Sequence, residues 1–344
     1  MIRPVQPVSA AVSAPKVMTS DDIPLRIAVA DYGHTAALKQ RQVQIRGVAA
    51  EFVEVRPIVA AYRRMVRDLE FDVCEMAAGT YMIAREAGLP VTALPVFTYR
   101  RFHHSGFVCR ADAGIRTPRD LEGKKAGVRA WSVTTGIWTR GILQNEYGVD
   151  LSKITWMVDD EEHVQSLRLP SYVVKTPAGR SLAEMMAAGE IQAAFTDNAG
   201  IGRAGPPRED WKAGAMPAAR YVDLFADAQQ LEADWFRRTG IYPVHGLIAV
   251  KNALLGQYPW LAQALFDAFD ESKTRYLTQL EAGQKVSEQD DYYRRMAAIV
   301  GDPLPYGLEA NRPAIEAMIR YCHQQGLLSG CPAAEDLFVS VAAR

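Results

Sequence analysis

At 344 residues the chain is long enough for about two domains, and 49% hydrophobic against 23% charged residues suits a globular protein with a large core. Lys and Arg total 39 against 40 Asp and Glu, so no basic excess exists to attract nucleic acid or anionic lipid. No apolar run reaches the roughly 18 residues that a membrane-spanning helix requires. Partners of both kinds are therefore not expected.

Residues 1–22 read as a flexible tail. Val8-Ser9-Ala10 and Val12-Ser13-Ala14 look like cleavage sites, but one basic residue precedes them, prolines interrupt the segment and no Leu-rich stretch is present, so a cytoplasmic location is expected. Cys74, Cys109, Cys322 and Cys331 show neither paired nor zinc-type spacing and read as reduced thiols. Residues 25–30, 52–55, 71–74 and 91–97 read as four strands. Between the second and third, Ile58, Ala61, Tyr62, Met65 and Leu69 form one helical stripe, and 80–86 reads as a further helix. Strands alternating with helices imply an α/β protein whose mostly parallel sheet is covered on both faces.

A second unit starts near Gly106, with a strand at 106–110. Thr117 caps a one-turn helix that carries Pro118 at its first position and Gly123 past its end. Strands at 125–128 and 191–195 flank a helix at 134–147 and a capping box, Ser181 with Glu184, stopped by Gly189. After a Gly/Pro-rich stretch, 202–217, a helix is expected near 226–238. The strand at 246–250 should return to the first unit, and a long helix should begin near Pro259. The expected division is a tail, one lobe made of 23–105 with 245–344, and a second lobe of 106–244.

Residues 117–128, Thr-Pro-Arg-Asp-Leu-Glu-Gly-Lys-Lys-Ala-Gly-Val, followed by 182–191, Leu-Ala-Glu-Met-Met-Ala-Ala-Gly-Glu-Ile, resemble type II periplasmic binding proteins. That resemblance implies two α/β lobes joined by two crossing strands, with an anion held between them by strand ends and helix N-termini. A wider set of phrases resembles the 4,5-dihydroxyphthalate decarboxylase family over most of 24–330. It comprises Phe71-Asp72-Val73-Cys74-Glu75 with Tyr81, and Leu94 to Phe97 leading to Arg100, Phe102, His104 and Ser105. Thr134 with Trp138 to Leu143, Glu146 to Val149 and Arg238 to Pro243 follow. The set ends with Tyr306 to Asn311 and then Tyr321, His323, Gln325, Gly326 and Leu327. The family implies a decarboxylase of a hydroxylated aromatic acid, needing no cofactor and working as a homo-oligomer.

The chain departs from the family at several points. Tyr32-Gly33-His34-Thr35 stands for Tyr-Asp-Arg-Thr, Phe102-His103-His104-Ser105 for Phe-Arg-His-Ser, and Arg129-Ala130-Trp131-Ser132 for Pro-Glu-Tyr-Gln. A family His near the return strand falls at His245. His in place of Arg at positions 34 and 103 suggests a substrate with one carboxylate fewer, or a different ring pattern.

Decarboxylation of an arene is easiest when the ring carbon is protonated first, with electron density drawn from an ortho or para hydroxyl. It needs a proton donor, a group polarising the hydroxyl, and donors that orient the acid. His104, which titrates near neutrality and matches the family, is the expected donor. Glu75 should face the opening while Cys74 faces the core, so it could polarise a hydroxyl or orient His104. Of Arg100 and Arg101, one is a solvated neighbour, and Arg100 is favoured as the carboxylate clamp. Thr134 and Thr135 open a helix that can receive an anion. Thr80, Ser132, Trp131, Tyr242, His34, His103 and His245 complete the expected substrate contacts, whereas Trp138 reads as core. No His-x-His or His-Glu-x-x-His spacing marks a metal site. No Gly-x-Ser-x-Gly elbow, phosphate loop or dinucleotide fingerprint is present, which sets aside hydrolase, kinase and dehydrogenase functions. The competing expectation is a solute-binding protein that captures a small organic anion without catalysis.

Overall fold

The computed structural model describes residues 22–202 and 221–342. The expected N-terminal tail up to residue 21, and all of the Gly/Pro-rich stretch after residue 202, lie outside the described residues. The first unit runs β1 (Ile23–Ala28), α1 (Gly33–Lys39), β2 (Val48–Phe52), α2 (Val59–Asp68), β3 (Val73–Ala77), α3 (Ala78–Glu86) and β4 (Val91–Arg100). The second holds β5 (Phe107–Arg110), β6 (Lys125–Gly127), α4 (Thr134–Tyr147), β7 (Thr155–Val158), β8 (Val173–Lys175), α5 (Leu182–Ala187), β9 (Ala193–Phe195), β10 (Tyr221–Asp223) and α6 (Ala228–Thr239). The chain then continues through β11 (Val244–Lys251), α7 (Asn252–Gln257), α8 (Leu261–Glu281), α9 (Asp290–Val300) and α10 (Arg312–Gln324).

Two mixed sheets result. One has the order β2-β1-β3-β11-β4 and the other β10-β5-β9-β6-β7-β8. In the first, β1 is parallel to β2 and β3, and the returning β11 inserts antiparallel between β3 and β4. All five residues of β3 are buried, as expected for a central strand covered on both faces. The ladder of β11 with β4 is irregular: Val244 pairs with Arg100 but Gly246 with Tyr99, so His245 is an extra residue on its strand. Such a bulge re-aims the side chain it carries.

The second expected strand, 52–55, lies earlier, at Val48–Phe52, because the ladder with β1 begins at the Ile23–Val48 pair. Val55 is buried in the core without belonging to a strand. The third sits two residues later than expected, at Val73–Ala77. α4 has the expected bounds and ends on left-handed Gly148 (φ 63°). The Ser181 box is formed, with Glu184 N–H on Ser181 Oγ at 3.3 Å and Ser181 N–H on Glu184 Oε2 at 3.0 Å. The four cysteines are unpaired, with only Cys331 exposed. Among the described residues no helix is long and apolar enough to cross a membrane.

The segment following α10 fastens α4. The Gln325 backbone oxygen accepts from Trp131 Nε1 at 3.0 Å, its side-chain oxygen accepts from Arg140 Nε at 2.8 Å, and its Nε2 donates to Ile137 O at 2.9 Å. Gln325 is fully buried, so these bonds replace water that a bare amide would otherwise need.

Candidate active site in the interlobe cleft

A cleft of about 520 Å³ opens between the lobes. One wall is built from the first sheet and its loops: Tyr32 after β1, Tyr62 on α2, Thr80 on α3, Tyr99 on β4, then Arg101 and the bulged His245. The facing wall is the loop 129–133 with the first turn of α4, together with His163 and Asn198.

The first N–H groups of α4 have no intrahelical acceptor and, with the helix dipole, favour an anion at this end. The Thr134 hydroxyl accepts the Gly79 N–H at 3.1 Å, which ties the starts of α3 and α4 together. Arg101 crosses from the other lobe, donating from Nη2 to Thr135 Oγ1 at 2.9 Å. Arg129 is buried and paired to Asp160 at 3.3 Å, and the same carboxylate meets Arg63 at 3.3 Å. His163 Nδ1 lies 3.3 Å from Thr80 Oγ1. Burial, then Arg129, Arg63 and Arg67, hold its imidazole well below the ordinary range. Burial, then Arg101, pushes His245 down to about 3.

Glu75 forms the floor behind this wall. It does not line the cleft; its Oε1 accepts the hydroxyls of Tyr32 at 2.7 Å and Tyr62 at 3.0 Å, and its Oε2 accepts the Ala30 N–H at 3.1 Å. Burial raises its pKa against those three hydrogen bonds.

Of the residues expected from sequence, Thr80, Ser132, Thr134, Thr135 and His245 line the cleft. The others require correction. Arg100 is no clamp: its guanidinium is spent on the Asn311 side chain and on the Tyr242 and Pro305 carbonyls, and it lies 4.4 Å from the Tyr242 ring centroid. Successive strand residues face opposite ways, so turning Arg100 inward turns Arg101 toward the cleft. Tyr242 covers Arg100 and packs on Phe102 at 5.2 Å, away from the cleft. His104 is enclosed by Phe225 and Trp235, each 5.5 Å away, and burial pushes it down to about 4. Trp131 is core, with Arg140 over its ring at 3.6 Å.

His34 and His103 stand one layer behind the wall. His34 is stacked on Tyr32 at 5.0 Å, and His103 between Trp138 at 6.3 Å and His245 at 5.5 Å. Neither touches the cleft, so the loss of a carboxylate contact does not follow from them. Tyr32, Tyr62, Tyr99, Arg129 and His163 were not expected. Tyr62 was hidden in an apolar helical stripe, and His163 lies in no motif. Among the described residues no three His, Cys, Asp or Glu side chains gather as metal ligands would.

Two α/β lobes with an anion-receptive cleft between them define a protein of the periplasmic-binding-protein fold. The family model described as "ABC transporter, phosphonate, periplasmic substrate-binding protein" matches residues 40–209. The periplasmic aliphatic sulphonate binding protein SsuA of Escherichia coli superposes with a TM-score of 0.51 at 12% identity, covering 92% of this chain and 97% of that one. The alkanesulfonate-binding SsuA of Xanthomonas axonopodis pv. citri bound to MOPS gives 0.51 at 13%, covering 94% and 100%. These likenesses establish the fold.

The sequence relatives go further. A 4,5-dihydroxyphthalate decarboxylase of Comamonas testosteroni is 34% identical over 318 residues, 89% of this chain and 93% of the relative. One of Pseudomonas putida is 31% identical over 221 residues, 62% and 81%. The chain belongs to the 4,5-dihydroxyphthalate decarboxylase family.

Proposed function

We propose that this protein is a carboxy-lyase that removes CO₂ from a hydroxylated aromatic acid bound between its lobes, with 4,5-dihydroxyphthalate the first substrate to try. Within this family the reading is carried by one observation: Arg101 reaches from one lobe to the first turn of α4 in the other, beside the bulged His245. A carboxylate there would take charge-assisted hydrogen bonds from the guanidinium and from the helix N–H groups.

His245 is the assigned proton donor. An entering anion offsets Arg101 and favours the imidazolium, reversing part of the downward shift of the empty cleft. The imidazolium gives its proton to the carboxyl-bearing ring carbon. The bond from that carbon to the carboxylate then breaks, its electron pair returns to the ring, CO₂ departs, and His245 regains a proton from solvent. One proton is consumed per turnover.

The test is CO₂ release from purified full-length protein offered 4,5-dihydroxyphthalate, hydroxyphthalates and hydroxybenzoates. Release from at least one hydroxylated acid is expected. Tight binding across the panel with no CO₂ would overturn the proposal and leave a binding protein.

A further inference from the structure

Three rings from separate parts of the chain stand in a row that ends at the cleft. Trp138 of α4, His103 of the turn after β4 and His245 of the β11 bulge follow one another, with centroids 6.3 and 5.5 Å apart and planes only 7° and 18° from parallel. Both outer members are tied to main chain close by. Trp138 Nε1 donates to the carbonyl of Val244, the residue before His245, at 2.8 Å, and the Thr139 hydroxyl donates to the His103 carbonyl at 3.0 Å. Tyr99 stands perpendicular to the His245 ring at 5.2 Å. A bulged residue is left out of the ladder, so the packing of its side chain decides where it points.

His103 is 1% exposed, and among the described residues neither of its ring nitrogens has a hydrogen-bond partner. An imidazole that gives no ring N–H to a neighbour acts through its flat face. Burial, then Arg101, His245 and His104, holds it well below its ordinary pKa, so the ring is neutral. Two imidazolium rings stacked at this distance would repel, and a neutral His103 leaves the proton of the pair to His245, which borders the cleft. The charged and titratable groups around His245 are Tyr99 and Arg101 from β4 and its end, His103 behind it, and Arg129, His163 and Asp197 lining the same cleft. Burial and Arg101 oppose the imidazolium. The face of a neutral aromatic ring attracts a cation lying over it, and does so more strongly away from water.

We propose that His103 is a positioning residue for the reaction: its neutral ring, backed by Trp138, fixes the plane of His245 and steadies the imidazolium form of that donor. The inference rests on the decarboxylase reading with His245 as donor, and adds the residue that stands behind it. His103 does not line the cleft and touches no substrate atom.

The experiment follows CO₂ release from 4,5-dihydroxyphthalate between about pH 5 and about pH 8 for the wild type, His103→Leu and His103→Phe. His103→Leu fills the space without an aromatic face. It should lower kcat about ten- to a hundredfold with KM within a few-fold, because the donor is misplaced while the carboxylate contacts stay. The limb of kcat/KM that falls with rising pH should move about half a unit lower, as the imidazolium loses the face beneath it. His103→Phe keeps a flat neutral ring and forfeits no ring hydrogen bond, so it should restore most of both. A His103→Leu protein that loses only melting temperature, with kcat and limb unchanged, overturns the inference. A His103→Phe protein no better than His103→Leu overturns it too.

Protein saturated with phthalate, an acid without ring hydroxyls, reads the stack independently of turnover. Followed by NMR and assigned by its absence from His245→Gln, the His245 imidazole should titrate about half a unit lower in His103→Leu than in the wild type or His103→Phe. Equal titration in all three overturns the inference. Full turnover by His245→Gln defeats the donor assignment instead, and absence of CO₂ from every acid defeats the decarboxylase reading. Unchanged circular dichroism shows that each variant has folded.

Discussion

Arg101 lines the cleft and holds Thr135 through one hydrogen bond from Nη2. Arg101→Gln removes a charge-assisted contact worth about 2 kcal/mol, so KM should rise about thirtyfold with little change in melting temperature. Arg100→Gln should do the reverse. It leaves the Tyr242 and Pro305 carbonyls and the Asn311 side chain short of a buried donor, costing about 2–4 kcal/mol of stability while KM stays within a few-fold. Thermal melts and steady-state kinetics on the two variants decide the assignment, and an exchange of outcomes would refute it. His245 adds a pH signature. It is neutral in the free protein above about pH 3, so kcat/KM should climb as pH falls from about 8 to about 5, where substrate carboxylates are still ionised. His245→Gln should flatten that slope.

Helix α4 carries the site and is gripped from behind. Gly141 faces Tyr321 of α10 so closely that an added Cβ would fall inside the ring's van der Waals surface. Ala is the better helix former by about 1 kcal/mol, but overpacking of this kind costs about 1–3 kcal/mol. Gly141→Ala should therefore lower the melting temperature despite its propensity gain, and a rise would show that α10 can step back freely. The bulge works on the same scale: one extra residue on β11 places His245 at the cleft, while Gly246 after it leaves room for Thr98 and Glu75.

Across the whole molecule, burial drives a shared acid sensitivity. Five of the six histidines, His34, His103, His104, His163 and His245, are pushed down, chiefly by burial, His34 and His245 to about 3 and His104 to about 4. Each has a folded pKa below its unfolded value, so below about pH 6.5 the unfolded chain binds more protons. Their contribution to stability is whole above that pH and is lost as pH falls toward about 4. Glu75 and Glu232, raised by burial (Glu232 to about 7), act in the opposite sense and offset part of the loss. The net effect should still be several kcal/mol. Melting temperatures should fall steeply between about pH 6.5 and 4, and a flat profile would contradict neutral burial of these imidazoles.

Local chemistry written into the chain determined the parts that need few distant partners. The 134–147 helix with its glycine stop, the Ser181–Glu184 box and the return of 246–250 to the first sheet all follow from capping, periodicity and apolar runs. The family phrases brought Glu75 and the 134–135 turn to notice as well. Tertiary structure alone decided which way each residue faces. Whether Arg100 or Arg101 lines the cleft depends on the face that the pairing of β4 with β11 turns to it. That Tyr32 and Tyr62 share an oxygen of Glu75 depends on three elements meeting in space. His104 matched the family and yet faces Phe225 and Trp235, because a motif fixes a residue's place along the chain while packing fixes where its side chain points.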